Sequence, residues 1–185
     1  MALTGFHIDL LGQMAVLRMD RPPANAVDLD LAREFATALD DVAKNDQIAA
    51  LVVTGAGSCF SAGLDLKAIP TYDRTQQQAM VMEVNGLFAG LYRLPLPTVA
   101  AVNGHSIAGG VIVMLACDYR IAAEGEYKIG LAEARVGVPF PVAAMAIVQS
   151  ELSNSVGRKM VLTARNYGPH EALSMGVVDE LRPAD

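Results

Sequence analysis

Short apolar runs alternate with helical patterns along the chain, and this alternation limits the possible folds more than any other feature. The run IAALVVTG at 48–55 is almost entirely apolar, as in strands that a parallel sheet buries on both faces. PTVAAVN at 97–103 and CDYRIAAEG at 117–125 predict further strands, and FHIDLLGQMAVLRMD at 6–20 predicts two short ones. Strands that alternate with helices predict an α/β fold with mainly parallel pairing.

Apolar residues recur at helical spacing in two long segments between those strands. The first segment predicts a helix over 29–44 with Asp28 as its N-cap. The second predicts a helix over 76–93, where Thr75 and Gln78 form a capping-box pattern. Each helix therefore has one apolar stripe to bury.

Composition restricts the classes of partner that this chain can have. Its 185 residues are 52% hydrophobic, which is enough for a single domain with a large core. The net charge of −6 shows no cationic surplus, so nucleic acid is not an expected partner. The most apolar run, 107–117, is far shorter than the roughly 20 residues that span a bilayer, so no membrane association is expected.

The two cysteines, Cys59 and Cys117, show no spacing typical of a disulfide framework or of a metal site. Such sparse cysteine usage fits a reducing compartment. The sequence therefore predicts a cytoplasmic protein without a bound metal.

The stretch GHSIAGG, at 104–110, allows two chemical interpretations. It nearly matches the G-x-S-x-G elbow of α/β-hydrolases, which would make Ser106 a nucleophile. Asp118 or Glu133 and then His170 follow in the chain order that such a triad requires, although the second elbow glycine is missing. Alternatively, the glycines present backbone N–H groups and the serine is incidental.

The second interpretation rests on two pairs of residues. Gly109 and Gly110 lie at the predicted start of an apolar helix, where the first N–H groups lack intrahelical acceptors and the helix dipole favours negative charge. Gly63 and Leu64, in FSAGLDL, can present a second N–H group in the same way. Two such donors form an oxyanion hole. The alternative is that the glycines only allow close packing of helix and strand.

Glu133 is the candidate general base. It lies in the otherwise apolar stretch GLAEARVGVP, which predicts partial burial and a raised pKa suited to proton transfer. An ordinary solvated glutamate is the alternative. The histidines at 7, 105 and 170 are expected to be structural or exposed.

Taken in order, the motifs resemble those of the crotonase superfamily, the enoyl-CoA hydratases and isomerases, over essentially the whole chain. The matching stretches are RPPANAV, LVVTGAGSCFSAGLDL, AAVNGHSIAGG and ACDYRIAAEGEYKIGLAEARVGVP. The resemblance implies a crotonase-like spiral of ββα repeats that binds an acyl-CoA thioester, with coenzyme A as part of the substrate and no other cofactor. It also implies that the N–H groups of Leu64 and Gly109 hold the thioester oxygen, and that the protein forms a homotrimer or a dimer of trimers.

The same resemblance assigns substrate contacts and narrows the reaction. The resemblance places the CoA contacts on Ala24 and Ala62. The acyl pocket is expected at 138–140, including Phe140, because these residues are near Glu133 in the sequence. Family hydratases use two glutamates, and the first of these positions is Ile112 here, whereas the second matches Glu133. A single carboxylate resembles the Δ3,Δ2-enoyl-CoA isomerases rather than the hydratases.

Other chemistry on the same scaffold stays open at this point. An enoyl-CoA hydratase, a decarboxylase, a thioester hydrolase and a non-catalytic acyl-CoA binder all fit parts of the pattern. Residues 1–185 are expected to form one crotonase-like core domain. Family members usually continue for several helices beyond MGVVDELRPAD, so the C-terminal helical segment is expected to be absent or truncated.

Overall fold

A computed structural model describes residues 5–184, and its strands follow the predicted α/β order. The strands of the described residues are β1 (Phe6–Leu11), β2 (Met14–Met19), β3 (Ala50–Gly55), β4 (Cys59–Ser61), β5 (Thr98–Val102), β6 (His105–Ile107), β7 (Tyr119–Ala123), β8 (Ile129–Gly130) and β9 (Glu180–Arg182). The helices are α1 (Leu29–Lys44), α2 (Arg74–Tyr92), α3 (Gly109–Leu115), α4 (Glu133–Val136), α5 (Val142–Glu151), α6 (Asn154–Thr163) and α7 (Pro169–Ser174).

The strands form two sheets. The larger has six strands in the order β1-β2-β3-β5-β7-β9, and the smaller has three in the order β4-β6-β8. Only the hairpin of β1 with β2 is antiparallel within the described residues, and every other pair is parallel. The predicted parallel α/β class is therefore confirmed.

Three successive ββα units account for both sheets. The units are β3-β4-α2, β5-β6-α3 and β7-β8-α4, and each places its first strand in the large sheet and its second in the small one. Equivalent strands pair with each other from one unit to the next. The chain thus winds as a spiral, so the loops that follow the short strands are stacked above one another.

Helix α1 has the predicted bounds, and the side chain of Asp28 accepts a hydrogen bond from the Leu31 amide as the predicted N-cap. Helix α2 begins at Arg74, two residues before the predicted start. Its capping box consists of Asp73 and Gln76, so the assignment to Thr75 and Gln78 is wrong. Aspartate is a better N-cap than threonine, and from its position two residues earlier Asp73 accepts a hydrogen bond from the otherwise free Gln76 amide.

The apolar stripe of α2 packs into the core, where Met80, Val84, Leu87 and Leu91 are all buried. Helix α3 is buried along its whole length. Buried apolar residues from Phe6 to Val178 form a single hydrophobic cluster. This continuous core holds the stacked loops in place, because it fixes the strands and helices that flank them.

Within residues 5–184, no helix combines the length and the apolar character needed to cross a membrane. Cys59 and Cys117 are both buried and unpaired. The same residues contain no group of three or more histidine, cysteine, aspartate or glutamate side chains arranged to hold a metal ion.

Candidate active site

The small sheet brings the three candidate stretches to one place. Its strands are parallel, so their carboxyl ends lie at the same edge. β4 leads into Ala62–Leu64, β6 into Ala108–Gly109, and β8 into Ala132–Glu133. Segments that are distant in sequence thereby line one cavity.

This cavity has a volume of about 150 Å³ and is almost entirely apolar. Glu133 is the only ionisable side chain among the described residues that line it. The lining residues are Ala62, Leu64, Leu66, Val84, Phe88, Ile107, Ala108, Gly109, Ile112, Ala132, Glu133, Val136, Val138, Pro141 and Ala144. A pocket with these walls suits an apolar chain and leaves one side chain available for proton transfer.

The backbone pairing of the first loop leaves the Leu64 amide free. The Val27 amide donates to the Gly63 carbonyl at 2.7 Å, and the Val27 carbonyl accepts from the Asp65 amide at 2.8 Å. In a trans peptide the C=O and the next N–H point in opposite directions, so the Leu64 N–H points away from Val27. It has no acceptor within the part of the chain that the structure describes.

The Gly109 amide is free for a similar reason. The carbonyl of Ala108 accepts from Val111 and Ile112, at 2.9 and 3.4 Å, and so points into α3. The N–H on the other side of that peptide, that of Gly109, therefore points out of the helix start and has no acceptor among residues 5–184. Ala108 adopts φ +52°, a conformation that is strained for a residue with a Cβ.

Both free amides belong to the same small space. A Cβ atom added to Gly63 would lie 2.6 Å from the Gly109 nitrogen, and one added to Gly109 would lie 3.8 Å from the Leu64 nitrogen. The two loops are therefore in direct contact and both border the cavity. Two preorganised N–H donors in this arrangement can stabilise one developing oxyanion.

The two neighbouring glycines, Gly109 and Gly110, have different surroundings. A Cβ on Gly110 would meet the Ser61 carbonyl oxygen at 2.2 Å, so Gly110 is needed for packing against β4. A Cβ on Gly109 would lie 3.3 Å from the Cα of Gly63, 3.4 Å from Cζ of Phe88 and 3.8 Å from the Leu64 nitrogen, and would crowd the space beside the free amides. Packing against backbone therefore requires glycine at position 110. At position 109 the packing is also tight, and the absence of a Cβ leaves the space beside the two free amides open.

Glu133 begins α4, lines the cavity and is only 6% exposed. Its Oε2 atom has no hydrogen-bond partner among the described residues. Burial raises the pKa of the Glu133 carboxyl above its ordinary value, and a smaller effect of its own backbone N–H opposes this. A buried carboxyl with one unpartnered oxygen and a raised pKa is suited to take up and return a proton.

The predicted substrate contacts are distributed unevenly around this cavity. Ile112, which is completely buried, lines the cavity. Val138 and Ala62 also line it. Phe140 is outside the lining and packs against the hydrophobic core instead, so Pro141 takes the place expected for it. Ala24 also lies outside the lining.

The serine triad is not assembled in the structure. Ser106 is completely buried in β6, and its hydroxyl has no partner within residues 5–184. His170 lines a different cavity, which it shares with His105, and Asp118 holds the backbone and side chain of Thr98 at 2.8 Å. The elbow interpretation therefore lacks both an accessible nucleophile and a base.

Sequence reasoning gave no role to Arg21 and Asn25, which connect the early turn, residues 21–28, to the segment 59–65 that contains β4 and the loop after it. Arg21 bonds Asp28 at 2.7 Å and Asp65 at 2.8 Å. Asn25 is buried, and its side-chain amide donates to the Cys59 carbonyl at 2.7 Å. The RPPANAV motif contains both residues and could have drawn attention to them. Their partners in the segment 59–65 are too distant in sequence to be identified from the motif.

Comparison with known proteins places this geometry in a family. A family model described as "Enoyl-CoA hydratase/isomerase" matches residues 11–185. "Enoyl-CoA delta isomerase 1, mitochondrial" of Rattus norvegicus is 33% identical over 93% of this chain and 60% of its own length. "Probable enoyl-CoA hydratase echA17" of Mycobacterium avium is 29% identical over 93% of this chain and 66% of its own length.

Solved structures agree with the sequence comparison. The human mitochondrial delta3-delta2-enoyl-CoA isomerase superposes with a TM-score of 0.93 and 28% identity, covering 98% of this chain and 72% of that one. An enoyl-CoA hydratase from Bacillus anthracis gives a TM-score of 0.90 and 27% identity over 98% of this chain and 71% of its own. The chain spans 60–66% of the length of the two curated relatives above. The match of the family model over nearly the whole chain shows that the protein belongs to the enoyl-CoA hydratase/isomerase family.

Proposed function

We propose that this chain is a Δ3,Δ2-enoyl-CoA isomerase that uses a single carboxylate base. The observation that carries the proposal is the composition of the cavity, where Glu133 is the only ionisable side chain among the described lining residues. Ile112 presents an aliphatic wall at the position where a hydratase would place its first glutamate. Hydration needs a water molecule held for attack, and an apolar wall offers no group to hold it.

The proposed reaction moves one proton within the substrate. Glu133 removes a proton from C2 of a 3-enoyl-CoA, and the electrons move into the thioester to form a dienolate. The N–H groups of Leu64 and Gly109 hold its oxygen, where the negative charge develops. The carboxyl of Glu133 then returns the proton at C4, which gives the conjugated 2-enoyl-CoA and regenerates the base.

The surroundings of Glu133 favour this exchange in both directions. Because burial raises its pKa, the carboxyl is a stronger base than a solvated glutamate and holds the proton long enough to return it. The apolar walls exclude competing water from the dienolate. Strain at Ala108, with φ +52°, supports the orientation of the Gly109 amide before substrate binds.

The wider assignments are part of the same proposal. Coenzyme A enters as part of the substrate, with no other cofactor, and contacts Ala62 and Ala24, which are joined by a hydrogen bond of 2.9 Å from the Ala62 amide to the Ala24 carbonyl. The functional form is a homotrimer or a dimer of trimers in the cytoplasm.

Two substrates distinguish the candidate reactions. The purified protein is incubated separately with a 3-enoyl-CoA and a 2-enoyl-CoA, and conjugation and water addition are followed in each case. The proposal predicts conjugation of the 3-enoyl substrate with little hydration of the 2-enoyl substrate. Efficient hydration by the unmodified protein would show that a group other than residue 112 positions water, and would refute the isomerase assignment.

A further inference from the structure

Hydrogen bonds join the early turn, residues 21–28, to the first oxyanion loop, residues 59–65, at several points along both segments. Backbone bonds run from the Ala62 amide to the Ala24 carbonyl at 2.9 Å and between Val27 and both neighbours of Leu64. The Ser61 hydroxyl donates to the Asn25 carbonyl at 2.8 Å and accepts from the Gly63 amide at 3.1 Å. The orientation of the Leu64 peptide therefore depends on the position of the turn.

Arg21 fixes the turn to the end of that loop. One guanidinium nitrogen bonds both the Ala26 carbonyl and the Asp65 carboxylate at 2.8 Å, and the other bonds Asp28 at 2.7 Å. Asp65 is the residue directly after Leu64, and its second oxygen accepts from the Lys67 and Ala68 amides. The hydrogen bond from Arg21 lowers the pKa of the Asp65 carboxyl, which is therefore charged at neutral pH.

Resting on the proposed function, we propose that Arg21 and Asp65 are positioning residues that aim the Leu64 amide at the thioester oxygen. Neither side chain lines the cavity, so both act through the backbone. The ion pair holds Asp65, and the Val27 bridge holds the two peptides on either side of Leu64. The N–H group of Leu64 therefore has a fixed direction relative to that of Gly109. A donor must be in place before charge develops, because reorientation during the reaction would cancel its benefit.

The pair is exposed enough for its structural and functional contributions to be separated. The side chains of Arg21 and Asp65 are 30% and 17% exposed, so solvent screens part of their attraction and limits what the pair adds to stability. A purely structural role therefore predicts a small change in the melting temperature and an equally small change in rate. A positioning role predicts a rate loss much larger than the stability loss.

The test compares Asp65→Asn with Asp28→Asn in the full chain. Both variants remove one of the two carboxylates that pair with Arg21, but only the first touches the residue next to Leu64. Asparagine remains a good N-cap for α1 at position 28, so the control keeps that helix start. We expect Asp65→Asn to lower kcat by about 10- to 100-fold, part of the effect of losing one oxyanion donor, with KM nearly unchanged. Asp28→Asn is expected to stay within about threefold of the native kcat.

A spectroscopic measurement keeps this inference separate from the proposed reaction. The carbonyl stretch of bound butyryl-CoA, which is saturated and has no double bond to move, reports the polarisation of the thioester by the two amides. We expect the native protein and Asp28→Asn to shift this band to lower frequency, and Asp65→Asn to lose part of the shift. Absence of isomerisation in the native protein would refute the proposed function but would leave this comparison intact.

Arg21→Lys provides a second variant if Asp65→Asn does not fold. Lysine keeps the charge but lacks the planar fork that bonds two carboxylates at once, so we expect an intermediate loss of kcat and of the carbonyl shift. The inference is refuted if the folded variants, Asp65→Asn or Arg21→Lys, keep the native carbonyl band and a kcat within about twofold of native.

Discussion

Substitution of Gly109 by alanine tests the proposed oxyanion hole at one of its two N–H donors. The added Cβ would lie 3.3 Å from the Cα of Gly63, 3.4 Å from Cζ of Phe88 and 3.8 Å from the Leu64 nitrogen. The first two distances are shorter than ordinary van der Waals contacts, so the neighbouring atoms must move away by a few tenths of an ångström. The third places a methyl group beside the second donor, where the substrate oxygen must enter.

The expected cost in rate follows from this geometry. Alanine keeps the backbone N–H of residue 109, so the substitution misplaces this donor and crowds the space beside it rather than removing it. Complete removal of one oxyanion donor lowers kcat by about 10² to 10³, or about 2.7 to 4 kcal/mol, which sets the upper limit of the effect. Overpacking at a tight site adds about 1 to 3 kcal/mol of destabilisation to the folded state. Alanine is otherwise well tolerated at a helix start, so we expect Gly109→Ala to fold and to lose about 10- to 100-fold in kcat with 3-enoyl-CoA.

A matched control exists in helix α2. Gly86 is exposed, and a Cβ added there would meet nothing within 4 Å. Gly86→Ala is therefore expected to stabilise the fold by about 0.5 to 1 kcal/mol and to leave kcat unchanged. Both variants are assayed for kcat by the absorbance of the conjugated product and for stability by thermal unfolding. A Gly109→Ala protein that is folded and within about fivefold of native activity would refute the assigned role of this amide.

Three further predictions concern Ser106 and Glu133. Ser106→Ala is expected to keep full activity and to leave thermal stability unchanged or slightly higher, since the hydroxyl that it removes is buried without a partner in the described residues. Retention of activity by Ser106→Ala, measured by the same assay, would distinguish the protein from a serine hydrolase that uses Ser106. The kcat/KM profile is expected to rise with pH through an apparent pKa above the ordinary glutamate value of 4.5, because burial raises the pKa of the Glu133 carboxyl and the deprotonated form is the base. A carboxyl whose pKa is raised on folding stabilises the protein below its unfolded pKa, and this stability is lost as the pH rises through the folded pKa. Glu133→Gln is therefore expected to gain stability relative to the native protein near pH 7 and to lose that advantage in acid, which unfolding curves at several pH values would show.

Much of the local structure was predictable because it depends on short-range patterns. The bounds and cap of α1, the parallel strands of the large sheet and the burial of Glu133 follow from apolar periodicity and from the residues immediately around them. The different surroundings of Gly109 and Gly110 were not predictable in this way. They depend on whether the Ser61 carbonyl or the Leu64 amide lies opposite each glycine, which only the packed structure determines.

The three stacked ββα units have no visible repeat in the sequence. Strands β4, β6 and β8 contain three, three and two residues, too few for an alternating pattern to be recognised. Yet these strands bring Leu64, Gly109 and Glu133 to one edge. Their proximity could be expected only from the resemblance to a family, not from the residues alone.

Long-range side-chain contacts were equally hidden. Arg21 and Asp65 are 44 residues apart, and neither shows a local pattern that predicts their ion pair. The walls of the cavity also come from tertiary packing, since Val84 belongs to the apolar stripe of α2 and Phe140 turned out to face the core rather than the cavity. Residue type at a motif indicates chemistry, whereas the partners of that residue depend on the fold.

The rate of isomerisation by Glu133→Gln tests the central claim most directly. Glutamine matches glutamate in size but cannot accept the C2 proton, so the variant keeps the cavity and both oxyanion amides while losing the base. We predict that kcat/KM for 3-enoyl-CoA falls by about 10² to 10⁴, the usual contribution of a general base, in a protein whose thermal unfolding confirms that it is folded. Isomerisation within about tenfold of the native rate would contradict the account, because a group other than Glu133 would then have to move the proton.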